Sequence, residues 1–225
     1  MSPVLELDGV TRAFYKGERK IPVLDGLSLH QNAGELVLIS GVSGSGKTTL
    51  LNIVSGLDDP DQGKVQVMSH TLSELSMRDR EELRLKSIGI VFQEANLVPD
   101  FTARENVELV LRASGLRDKD PRETSIDALR QVGLEELSDR FPREMSGGQA
   151  QRVGIARAMA GGKPIILADE PTGAVDRRTS TEIFSLLKGI AGSGRAVLVS
   201  SHDPLARQFA TRAYRLEDGR LEPDE

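Results

Sequence analysis

Apolar positions along the chain fall into two kinds of run. Val4 to Leu7 alternates apolar and polar, as a strand with one covered face does. Glu35–Ser40, Ile88–Phe92, Pro164–Asp169 and Ala196–Ser200 are instead short and nearly continuously apolar, the pattern of strands covered on both faces. A sheet built from such strands carries helices on both sides, which predicts an α/β core. Lys47 to Ser55 supplies Leu50, Leu51, Ile53 and Val54 as the buried side of a helix that Gly56 and Pro60 end. Between about Glu94 and Arg143 the pattern changes to helices with charged faces, at Thr102–Ala113 and Pro121–Val132. This predicts a helical subdomain without a strand of its own, returning to the core through a helix that begins near Ser146.

Bulk properties narrow the class. At 225 residues the chain is long enough to bury a substantial core as one large domain or a domain with a subdomain. Its 29 Lys and Arg against 34 Asp and Glu give a net charge of −5 and no basic stripe of the kind that tracks nucleic acid. Cysteine is absent, which excludes disulfides, thiolate metal sites and cysteine nucleophiles. The longest apolar runs fall short of the roughly 20 residues that span a bilayer, and the N-terminus lacks a basic region followed by an apolar core. The expected location is the cytoplasm. Soon after Asp218-Gly-Arg-Leu221 the sequence stops, so no regulatory domain is expected.

Candidate chemistry sits at the ends of the predicted core strands. Gly41-Val-Ser-Gly-Ser-Gly-Lys-Thr48 fits G-x-x-x-x-G-K-[ST] between a strand and a helix. In such a loop Gly41, Ser43, Gly44, Ser45, Gly46 and Thr49 turn backbone N–H groups toward phosphate oxygens. Lys47 reaches the β- and γ-phosphates and the Thr48 hydroxyl completes magnesium coordination. Asp169 ends an apolar strand and is positioned to hold the metal, while Glu170 polarises an attacking water. Gln93 follows another strand, where a neutral amide can touch both metal and water. His202 follows a fourth, and strand ends of this kind line the ligand crevice of an open parallel sheet. Met145-Ser146-Gly147-Gly148-Gln149 forms a second glycine-rich element opening a helix, again shaped to offer a hydroxyl and backbone amides to a phosphate. A single nucleotide hardly needs two such cradles from one chain.

These motifs resemble, over essentially the full length, the ATP-binding subunit of ATP-binding-cassette transporters. Met145 to Arg157 resembles the family signature and its helix, Gly173-Ala-Val-Asp176 the D-loop, and His202 the switch histidine. Met145 stands where Leu is usual, Ala150 where a polar residue is common, and Val175 where Leu is typical; none of these removes a catalytic group. The resemblance implies a P-loop NTPase fold with a RecA-like core (about 1–93 and 150–225), an N-terminal antiparallel β subdomain and a helical subdomain (about 94–149). It also implies an aromatic that stacks on adenine. Phe14 and Tyr15 are the candidates, and spacing to Val23-Leu24 favours Phe14. Stretches 12–24 and 92–107 are similar to the subgroup serving macrolide exporters and lipoprotein-releasing complexes.

The resemblance implies further a head-to-tail dimer around ATP and Mg2+. Lys47 and Glu170 of one chain then meet Ser146 and Gly148 of the other, with Asp176 nearby. The partners implied are a second copy and an integral membrane permease, which holds the ATPase at the cytoplasmic face of the membrane while lipoprotein, drug or peptide is exported or extracted. The segment Asn96–Phe101 is the expected grip on the permease. A rival reading is a soluble ATPase clamp on nucleic acid, but the chain has no long heptad insertion, second cassette or basic face. Another, a cell-division-type regulatory ATPase or a scaffold without turnover, is opposed as a scaffold by the intact Glu170 and His202.

Overall fold

The computed structural model describes residues 3–115 and 120–224. Its centre is a six-stranded sheet of order β10-β9-β3-β8-β7-β6, where β3 is Leu36–Ser40, β6 Ile88–Val91, β7 Ile165–Asp169, β8 Ala196–Ser200, β9 Arg212–Glu217 and β10 Arg220–Pro223. All pairings are parallel except the β9–β10 hairpin at one edge. The continuously apolar runs have a direct cause in this arrangement. On β3, Leu36 and Leu38 enter one hydrophobic core while Val37 and Ile39 enter another, and β7 and β8 divide their residues in the same alternating way.

The first core lies against α3 (Ala103–Ala113), α4 (Pro121–Gln131), α5 (Gly147–Met159) and α6 (Arg177–Gly192). Leu129, Ile155 and Phe184 are among its fully buried side chains. The second lies between the sheet's other face, α1 (Lys47–Val54) and a four-stranded antiparallel sheet of order β2-β1-β4-β5. There β1 is Leu5–Lys16, β2 Arg19–Gln31, β4 Gln62–Val67 and β5 His70–Thr71. The alternation at 4–7 is thus the start of a strand three times longer, prolonged through register shifts after Leu7. Pro22 lies within β2 because β2 is the edge strand of its sheet, where a missing N–H costs no ladder bond. A further helix, α2 (Met77–Ser87), buries none of its residues, so it leaves no apolar stripe for a sequence reading to find.

Helix α5 links the neighbouring helices to the central sheet. It packs on α3 and α4 and on β6 of the core. Just after it, Lys163 is 7% exposed and donates from Nζ to the carbonyl of Ile88, 3.0 Å away, at the start of β6. Burial, assisted by the nearby Arg157 cation, pushes its pKa down to about 8. The folded chain therefore releases this proton more readily than the unfolded chain, and stability rises with pH between about 8 and the ordinary value of 10.5. At about 1.4 kcal/mol per pH unit, the contribution is up to about 3 kcal/mol. Urea melts of parent and Lys163→Met at pH 7.5 and 10 check this: the parent gains stability relative to the variant as pH rises, and parallel responses contradict it.

Candidate nucleotide site

The loop between β3 and α1 is shaped by residues without side chains. Gly46 caps α1 with φ +106°, and a Cβ there would stand 2.7 Å from Val23 Cγ1. Gly41, at φ +151°, would bring a Cβ to 2.7 Å from the carbonyl of Leu216. Only glycine fits either place. The first residue of α1, Lys47, is 6% exposed, and its Nζ donates to the carbonyls of Gly41 (2.7 Å) and Val42 (3.1 Å). The same Nζ lies 3.3 Å from Glu170 Oε1.

Three strand ends converge on it. Thr48 Oγ1 donates to Asp169 Oδ2 at 2.8 Å, and Ser200 Oγ donates to Asp169 Oδ1 at 2.5 Å. Glu170 has a left-handed φ of +46°, uncommon for a residue with a side chain, and its N–H donates to the carbonyl of Ser200 at 3.0 Å. His202 donates its backbone N–H to Glu170 Oε2 (3.2 Å), and its Nδ1 lies 2.9 Å from the same oxygen. Gln93 reaches in beside Gly173, where an added Cβ would come within 2.9 Å of its Nε2. Val42, Ser43, Gly44, Gly46 to Thr49, Gln93, Glu170 and His202 line one cleft of about 630 Å³. Ser45 and Gly41 line an adjoining hollow of about 960 Å³, together with Ile21, Pro22 and the β9–β10 turn. The larger hollow holds neither Lys47 nor Glu170; the smaller cleft is the one that brings these two candidates together. As donors, Thr48, Asp169 and the Gln93 amide are hard oxygen groups of the type magnesium takes alongside phosphate, so the residues fit that ion.

The second cradle stands apart. Ser146 caps α5 in a reciprocal capping box: Gln149 N–H donates to Ser146 Oγ at 3.2 Å, and Ser146 N–H donates to Gln149 Oε1 at 2.9 Å. Gly147 and Gly148 form the first turn, and a side chain at Gly148 would collide with Thr179 Cγ2. Thr179 is in turn held by Asp176, the cap of α6, whose carboxylate accepts from its N–H and hydroxyl and is held below the usual carboxylate range by the Thr179 N–H above all. Residues 146–149 and Asp176 therefore share one exposed face, and none of them lines the cleft of Lys47. Phe14 also lies outside that cleft. It is 44% exposed on β1, paired with Ile21 of the adjoining hollow, while Tyr15 is 70% exposed. The Arg12 guanidinium, fixed by Asp58 and Asp61, sits 5.0 Å from the Phe14 ring centre and occupies one face of it.

Sequence reasoning missed Ser200, a fully buried hydroxyl that holds both Asp169 and the Glu170 N–H. Its place at a strand end two residues before His202 was the available signal.

The family model described as ABC transporter matches residues 24–173. The chain belongs to the ABC transporter family. As a member of that family it is an ATP-hydrolysing cassette. It is 41% identical over 224 residues to a macrolide export ATP-binding/permease protein MacB 1 of Yersinia pestis bv. Antiqua, and 40% identical to a MacB of Photorhabdus laumondii. In both cases the whole chain is covered, but only 34% and 35% of the relative, so this chain spans about a third of their length. Among solved structures it resembles the ATP-binding cassette MJ0796, a dimer in a post-hydrolysis state bound to ADP and Pi (TM-score 0.89, 39% identity, 98% of this chain and 97% of that one). It also resembles cbiO1 from Clostridium perfringens, part of the cbiONQ transporter complex (TM-score 0.88, 25% identity, 99% and 88%).

Proposed function

We propose that this cassette drives a membrane permease by closing as a head-to-tail dimer around ATP, opening when ATP is hydrolysed. The observation that carries this reading is the separation of the two cradles. Lys47, Glu170 and His202 face one cleft, while Ser146–Gln149 face elsewhere and suit the nucleotide of a second copy. The dimeric MJ0796 cassette supports it.

Within each cleft, Lys47 and the N–H groups at 43–49 hold the phosphates, and Glu170 orients the attacking water. His202 fixes Glu170, and Phe14 offers its free face to adenine. Magnesium, bound with ATP by Thr48, Asp169 and Gln93, would neutralise charge on the β- and γ-phosphates. Residues 94–149 act as the helical subdomain, the rest as core. The similarity to the MacB macrolide export ATP-binding/permease proteins favours a permease partner and an exporting direction, with the cassette at the cytoplasmic face. No helix among the described residues is long and apolar enough to cross a membrane. ATP turnover by the purified chain, and its recovery with a permease from detergent-solubilised membranes, test this function. An active ATPase that never associates with a membrane protein would favour the soluble clamp.

The permease grip has its own expected result. Leu97 is half-buried against the core beneath the helices, whereas Phe101 is 37% exposed. Phe101→Asp should uncouple transport while basal ATP turnover and melting temperature stay near parental. A variant with full transport moves the grip elsewhere.

A further inference from the structure

One face of α5, formed by Gln151, Gly154 and Arg157, is bound to the backbone that follows β6. Gln151 is 3% exposed and donates from Nε2 to the carbonyl of Phe92 at 2.8 Å. Gly154 lies flush on Ala95, where an added Cβ would meet the Ala95 Cβ at 3.5 Å. Arg157 donates from Nη2 to the carbonyl of Ala95 and from Nη1 to that of Asn96, both at 2.7 Å. Asn96 takes a left-handed φ of +46° at this point. The guanidinium thus holds two successive carbonyls with the fork geometry lysine lacks. Among the described residues no carboxylate lies within ion-pair distance of Arg157, and burial pushes its pKa down. A half-buried cation satisfied by loop carbonyls fixes backbone rather than charge.

We propose that Arg157 is a positioning residue for hydrolysis: with Gln151 it locks the Gln93 segment to the helix that Ser146 caps, so that the two move as one body. The proposal rests on the reading of Gln93 as part of the nucleotide site and Ser146 as part of the opposite one. Its consequence is that the place Gln93 holds in its own cleft, beside Glu170 and Lys47, is set by the placement of α5, and with it of Ser146. Each chain's own site then assembles in step with the site it completes for its partner. Gly173, packed on Gln93, carries the same contact toward Glu170.

Arg157→Gln keeps a polar side chain but loses the fork. A misplacement of about 1 Å away from the chemistry costs on the order of 10²-fold in rate. The expected result is therefore a kcat about 10- to 100-fold lower, with ATP affinity, measured by titration with a fluorescent nucleotide, within about twofold of parental. Parental kcat in a folded Arg157→Gln, or a fall in affinity to match kcat, overturns the proposal. Should that variant not fold, Gln151→Leu replaces it with the same expected split and the same refuting result.

The absence of cysteine allows a rescue. Ala95→Cys with Gly154→Cys places two Cβ atoms at a separation suited to a disulfide. Oxidation should restore kcat in the Arg157→Gln background and leave the otherwise parental chain active, with reduction reversing the rescue. A cross-linked chain, verified by mass, that stays slow or kills parental turnover shows that loop and helix must slide, and overturns the proposal. An inactive parent would instead sink the hydrolytic reading itself, which keeps the two failures distinct.

Discussion

Glu170→Gln is expected to bind Mg-ATP, hydrolyse it about 10²- to 10⁴-fold more slowly than the parent, and accumulate as an ATP-bound dimer. The side chain is held from several sides: Lys47 Nζ at one carboxylate oxygen, the His202 N–H and Nδ1 at the other, and Ser200 at its backbone N–H. A glutamine keeps this shape, so the phosphate cradle at 41–49 is untouched. What it lacks is a carboxylate able to take a proton from water. It also removes the anion beside Lys47, leaving that cation free for the γ-phosphate, so affinity should rise rather than fall. In the proposed dimer the γ-phosphate lies between two chains, so slow hydrolysis prolongs the closed state. ATP turnover together with size-exclusion chromatography in Mg-ATP reads both effects. Parental turnover removes Glu170 from the role assigned to it, and a monomer at high concentration with bound ATP removes the dimer.

The parts of this molecule that a sequence reveals are those whose physical cause is local. β3, β6, β7 and β8 announce themselves because both faces of each are buried, so all their residues but the polar strand ends Ser40, Asp169 and Ser200 are apolar or glycine. The hairpin β9–β10, half exposed and full of arginine and glutamate, carries no such mark, and α2 buries nothing. The 16-residue α6 does carry a local mark, apolar positions repeating at Ile183, Phe184, Leu187 and Ile190 with helical spacing. The site divides likewise. Lys47, Thr48, Asp169, Glu170 and Ser146 lie in contiguous motifs whose spacing is itself the geometry. Ser200 on Asp169, and Arg157 on Ala95 and Asn96, are contacts between residues 31 to 62 apart in sequence. Only the folded sheet and the packing of α5 on β6 create them.

Ser146→Arg is expected to abolish hydrolysis while leaving ATP binding by the isolated chain almost unchanged. Since Ser146 does not line the cleft of Lys47, Thr48 and Glu170, a large cation in its place cannot obstruct the chain's own nucleotide. It would obstruct the nucleotide of the facing chain, where the Ser146 hydroxyl and the first N–H groups of α5 should meet the γ-phosphate. The change also removes a helix cap, a loss of about 1 kcal/mol, so a thermal melt must show the variant folded before its inactivity is interpreted. The decisive measurement mixes it with Glu170→Gln. In a mixed dimer one site combines both defects, and the other combines the intact Glu170 of one chain with the intact Ser146 of its partner. Two inactive preparations should therefore regain turnover on mixing, in proportion to the mixed dimers formed. Proven mixed dimers without recovery would mean that both sites must be intact for either to fire, or that Ser146 does not face the partner's nucleotide. Loss of ATP affinity in the lone Ser146→Arg chain separates these, because only the second alternative lets the substitution disturb its own site.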